Sequence, residues 1–143
     1  LLRTPFVGNL VGRLSSYRIF RQQYPQVYAQ PQHFDEEHYQ QQWRLMSYNN
    51  GARTLGKIAC YMNERRRNEA RWLGPLHRTK LPTKMIWGRL DPIAIYAIAQ
   101  KLHAQNPRIA LNVLDDVGHY PQLEAPAQVL AGILEPALQV TPV

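Results

Sequence analysis

Two short, mostly apolar runs with a helical stretch between them constrain what this chain can fold into. Thr83-Lys84-Met85-Ile86-Trp87 follows Pro82 and stops at Gly88. Ile109-Ala110-Leu111-Asn112-Val113-Leu114 follows Asn106-Pro107 and ends in Asp115-Asp116-Val117-Gly118. Apolar runs of this length bounded by turn formers read as buried strands. Between them Asp91-Pro92 opens a helix running to about Gln105, with proline at the first helical position, where its missing N–H is no loss. A last helix is expected from about Pro126 to Leu138. Strand, helix, strand, helix with short connections is a βαβα unit, hence a parallel pair with a right-handed crossover. The expected class is α/β.

A parallel pair raises a difficulty of its own. Such sheets are normally buried on both faces and contain more strands. The remaining strands are therefore expected upstream of Leu1, and the lack of an initiator Met fits a fragment. The chain's 143 residues suffice for one ordinary domain with a core.

Residues 1–80 have a different grammar. Leu10, Val11, Leu14, Tyr17 and then Phe20 or Tyr24 recur at helical spacing. Pro25 and Pro31 bracket a loop. Asp35 is placed to cap a helix whose first turn holds Glu36 and Glu37, suited to the positive end of the helix dipole. Tyr39, Trp43 and Met46 share one side of it, and Asn49-Asn50-Gly51 ends it. A third helix is expected from about Ala52 to Arg71, with Gly74-Pro75 breaking it or restarting a turn. The organisation expected is thus a helical region over residues 1–80 and a βαβα unit over 81–143.

Composition removes several classes. One cysteine, Cys60, leaves no intrachain disulfide framework and no cysteine-clustered zinc site. No apolar run approaches the roughly 18 residues of a membrane span. The net charge of +7 would attract nucleic acid if it were clustered. The cluster present, Arg65-Arg66-Arg67 with Arg71, reads as a solvated helix face without a nucleic-acid-binding motif, so no nucleic-acid partner is expected.

The chemistry-bearing residues lie on the loops that follow the two strands. These loops are Gly88-Arg89-Leu90-Asp91-Pro92 and Val117-Gly118-His119-Tyr120-Pro121-Gln122-Leu123-Glu124. Open α/β sheets bind ligands outside the carboxyl ends of their strands. If the strands are neighbours, Asp91 can hydrogen-bond His119, fix its tautomer and leave the other ring nitrogen as a general base. Alone, Asp91 reads as a helix cap and His119 as an ordinary loop histidine; the pairing is what gives them a catalytic reading. Asp115 and Asp116 compete for the acid role, and Glu124 reads as a tether for the loop or a cap for the last helix.

The stretch Met85-Ile86-Trp87-Gly88-Arg89-Leu90-Asp91-Pro92, followed by Gly118-His119-Tyr120-Pro121-Gln122-Leu123-Glu124-Ala125-Pro126, resembles the C-terminal end of an α/β-hydrolase-fold enzyme. Asn63-Glu64-Arg65-Arg66-Arg67 with Arg71-Trp72-Leu73-Gly74-Pro75-Leu76 resembles the mesoderm-specific transcript branch, near the epoxide hydrolases and haloalkane dehalogenases. The resemblance implies a helical cap over residues 1–80, with 81–143 supplying the last two strands and helices. It implies Asp91 as the triad acid and His119 as the triad base. It also implies that cap aromatics line a substrate pocket, with Trp43, Tyr48, Tyr61 and Trp72 as candidates, although each also suits plain packing between helices. The family's nucleophile elbow is absent: the only serines are Ser15, Ser16 and Ser47, all in helical patterns.

The expectation is therefore the C-terminal portion of a hydrolase acting on a small, largely apolar substrate through an ester, epoxide or carbon–halogen bond. The nucleophile would lie upstream, the chain alone would be inactive, and no metal or organic cofactor is implied. The alternative is a non-catalytic binding or scaffold protein of the same fold.

Overall fold

The structure, a computed structural model, describes residues 15–135. The helical positions Leu10, Val11 and Leu14 lie outside the described residues, and the last helix, expected to reach Leu138, already ends at Leu134, where Glu135 takes an extended conformation. The chain is mixed α/β, mostly helical, with a two-stranded parallel sheet. It divides into two compact units. One holds the described residues up to Tyr24 together with Gln32–Trp72; the other holds Pro25–Pro31 together with the chain from Leu73.

The first unit begins with α1 (Tyr17–Gln23), whose Ser16 cap accepts from the Ile19 N–H. Asp35 caps α2 (Glu36–Ser47) by accepting from His38 N at 2.8 Å. Aromatic packing joins the two helices. Phe20 stacks on Tyr24 with centroids 4.4 Å apart and tilts against Trp43 at 5.5 Å, while Tyr39 is fully buried. Glu36 takes hydrogen bonds from Arg21 and Tyr17, which hold its carboxyl below the usual carboxylate range. His38, stacked on Phe34, has its pKa pushed down by burial against the opposing pull of Asp35.

Helix α2 stops where Asn49 and Asn50 take left-handed conformations, with φ of 47° and 61°. Asparagine tolerates that region better than most residues. The single helix expected from Ala52 to Arg71 is instead three: α3 (Leu55–Ala59), α4 (Tyr61–Arg67) and α5 (Glu69–Arg78). The first break comes at Cys60, whose N–H bonds Lys57 O at 3.1 Å in a tightened turn. The second comes at Asn68, whose side chain and backbone N–H both reach Glu64 O, at 3.0 and 2.8 Å. A side chain that competes for a helical carbonyl favours such an interruption.

Gly74-Pro75 does not end α5, which runs to Arg78. The Asn106 amide donates to Leu76 O at 2.9 Å and Thr79 O at 3.2 Å, satisfying carbonyls near the helix end. In the second unit β1 (Thr83–Gly88) pairs with β2 (Ile109–Leu114) in parallel, Thr83 opposite Ile109 and Gly88 opposite Leu114. Helix α6 (Tyr96–Gln105) packs on both strands through the buried Ala99 and Leu102. It starts four residues after Pro92, later than expected, for a reason that belongs to the site below. A short α7 (Pro121–Glu124) precedes α8 (Pro126–Leu134). A Cβ on Gly132 of α8 would meet the Asn112 amide nitrogen at 2.6 Å and Ile86 at 3.1 Å, so this helix lies directly on the sheet. Lys84 donates to Gly132 O and Glu135 O at 2.6 and 2.9 Å, a cation at the negative end of α8. Among the described residues, no helix is long and apolar enough to cross a membrane.

Candidate active site

Parallel pairing in register ends both strands at the same level, and the loops beyond them are stitched together. Arg89 N donates to Leu114 O at 2.9 Å, and Leu90 N to Val117 O at 3.0 Å. Gly88 is needed for this approach: a Cβ there would lie 2.2 Å from Gly118 O and 2.5 Å from Val117 O. Backbone on both sides leaves nothing flexible to yield. Gly88→Ala is therefore expected to lower unfolding free energy by about 3 kcal/mol, from forced backbone displacement. Urea denaturation measures it, and an unchanged midpoint would contradict the close approach.

Asp91 is buried at 8% exposure. Its Oδ1 accepts from Ile93 N and Ala94 N, both at 2.8 Å, and so folds the residues after it into a turn. The Trp87 indole N–H donates to Ala94 O at 2.9 Å and pins the same turn to β1. This is why α6 begins at Tyr96 rather than Pro92. The carboxylate lies beside His119, whose Nδ1 is 2.9 Å from Oδ2 and 3.0 Å from Oδ1. An ionised carboxylate only accepts, so Nδ1 carries the hydrogen and Nε2 is the acceptor nitrogen of the neutral ring. The His119 side chain is 28% exposed against 7% for Asp91. A buried carboxylate behind a partly exposed imidazole is the arrangement that orients a general base and steadies its protonated form.

Asp115 and Glu124 are engaged elsewhere. Asp115 pairs with Arg89, whose guanidinium also lies over the Tyr96 ring at 4.8 Å, and the hydrogen bond to Asp115 raises the Arg89 pKa further. Asp116 is exposed. The Glu124 carboxylate accepts from Ala29 N, Gly118 N and Tyr120 N.

The four aromatic candidates belong to the first unit, whereas Asp91 and His119 belong to the second. Trp43 is half-buried against Tyr17 and Phe20. Tyr48, Tyr61 and Trp72 are 81%, 50% and 41% exposed. Ser16 caps α1, and the Ser47 hydroxyl donates to Trp43 O at 2.7 Å. Among the described residues no group of three or more His, Cys, Asp and Glu could hold a metal ion.

Sequence reasoning missed the segment Pro25–Pro31. Val27 O accepts from His119 N at 2.9 Å, and the buried Tyr28 meets the Tyr120 ring at 5.8 Å between centroids. Its one sequence signal is an aromatic flanked by prolines in a stretch otherwise read as a loop.

Comparison with known proteins gives relatives but no family model and no solved structure that matches. A Mycobacterium tuberculosis protein named "Putative hydrolase LipZ" is 32% identical over 126 residues, 88% of this chain and 43% of that protein. The mesoderm-specific transcript protein of Mus musculus is 30% identical over 122 residues, 84% of this chain and 36% of its own length. The Homo sapiens homolog is 29% identical over the same shares. The chain thus spans less than half the length of these curated relatives, one of which is named a hydrolase.

Proposed function

We propose that the chain forms the C-terminal part of an α/β-hydrolase-fold hydrolase, with Asp91 as the acid and His119 as the base of a triad. The observation that carries this reading is the Asp91–His119 hydrogen bond, formed between loops at corresponding ends of two paired strands. The hydrolase name borne by one relative supports the reaction class. The nucleophile is assigned to a segment outside this chain, and residues 1–80 to a cap that bears Trp43, Tyr48, Tyr61 and Trp72 toward a small, largely apolar substrate. Catalysis runs in two halves. The nucleophile attacks the substrate to give a covalent ester as the leaving group departs or the epoxide ring opens, a hydroxyl nucleophile passing its proton through Nε2 of His119 to the leaving group. Nε2 then takes a proton from water as it attacks that ester. Asp91 balances the charge that develops on the ring.

The experiment is a panel of activated esters, epoxides and haloalkanes, tested on the 143-residue chain and on the longer polypeptide that this reading requires. The longer protein is expected to hydrolyse one class. The chain alone is expected to give no turnover above a buffer and imidazole control. Saturable turnover by the chain alone, lost in His119→Ala, would overturn the assignment of the nucleophile.

A further inference from the structure

We propose that Glu124 is a positioning residue, which holds the loop carrying His119 in register with Asp91 by gripping backbone on both sides of the histidine. Its Oε2 accepts from Gly118 N at 2.9 Å and from Ala29 N at 2.8 Å, and its Oε1 accepts from Tyr120 N at 3.2 Å. The residues before and after His119 are thus bound to one carboxylate. That carboxylate also anchors the segment Pro25–Pro31, whose Val27 O takes the His119 N–H itself. The fit is close, since a Cβ on Gly118 would lie 2.6 Å from Ala29 N and 2.7 Å from Val27 O. Hydrogen bonds to an ionised acceptor are about twice as strong as neutral ones, and three of them fix a short loop against both translation and rotation.

Glu124 bonds backbone N–H groups and not the imidazole, so it acts through the backbone. Its reach to Ala29 explains why a segment ninety-five residues away in sequence belongs to the same compact unit. The proposal deepens the hydrolase reading and rests on it for the meaning of "in register", but its test needs no turnover.

The test is ¹⁵N NMR of the 143-residue chain, comparing the native sequence with Glu124→Gln and Glu124→Asp. Glutamine keeps the shape but has one acceptor oxygen, and its NH₂ must face one of the donors. Aspartate keeps both oxygens but falls a methylene short. In the native chain the His119 ring is expected as the Nδ1–H tautomer. In Glu124→Gln both ring nitrogen signals are expected to move toward those of free histidine. Amide exchange at Ala29, Gly118 and Tyr120 should accelerate about tenfold or more. Asn106 N–H, which bonds Leu102 O away from this loop, should exchange unchanged and so report intact folding. The Glu124→Asp chain should show the same changes to a smaller extent. Ring signals left native while the three amides exchange faster would reduce Glu124 to a local tether and overturn the proposal. A native ring without the Nδ1–H tautomer would instead overturn the hydrolase reading with it.

Discussion

Asp91→Asn is expected to cut kcat of the longer protein about ten-thousand-fold, the scale seen when a triad histidine is held in the wrong tautomer. The amide oxygen of asparagine can still accept from Ile93 N and Ala94 N, so the turn before α6 survives. Its NH₂ group then faces Nδ1 of His119, which must become an acceptor. The ring proton moves to Nε2, and the nitrogen meant to take a proton from water already holds one. Stability should change little, because the turn and the packing are kept, and KM should stay near its native value. Steady-state kinetics on the substrate hydrolysed by the longer protein, with a thermal melt as control, measures both. A rate within tenfold of native in a well-folded Asp91→Asn protein would remove Asp91 from the acid role.

Much of this arrangement was legible in the residues. The strand runs ended where Gly88 and Asp115 said they should, because an apolar run between turn formers has few other readings. Asp35 announced its helix, since a short acceptor before two glutamates is specific to a helix start. Asp91 and His119 could be paired because parallel strands put their following loops at one edge. The rest depended on contacts that no local pattern records. Asn68 broke a periodic helix through its own side chain, and the helix that passes Gly74-Pro75 has carbonyls near its far end satisfied by a distant Asn106. Asp91 looked like the cap of a helix at Pro92, but its carboxylate serves a turn and an imidazole at once, which delays α6 to Tyr96. The Pro25–Pro31 segment was invisible because its partners, His119 and Glu124, lie far along the chain.

Replacing His119 has the largest expected effect, and its form depends on the nucleophile. A serine must give up its proton before attacking, so His119→Gln would block both halves of the reaction and leave free enzyme. An aspartate is already ionised near neutral pH and attacks unaided. The imidazole is then needed only to activate water against the new ester, and without it the covalent intermediate accumulates. The decisive measurement is the intact mass of the longer protein carrying His119→Gln after incubation with esters, epoxides and haloalkanes, alongside its steady-state rate. Loss of turnover is expected under either nucleophile, with a stable mass increase from an epoxide or haloalkane if that nucleophile is an aspartate, whereas undiminished turnover in His119→Gln would contradict the role of His119.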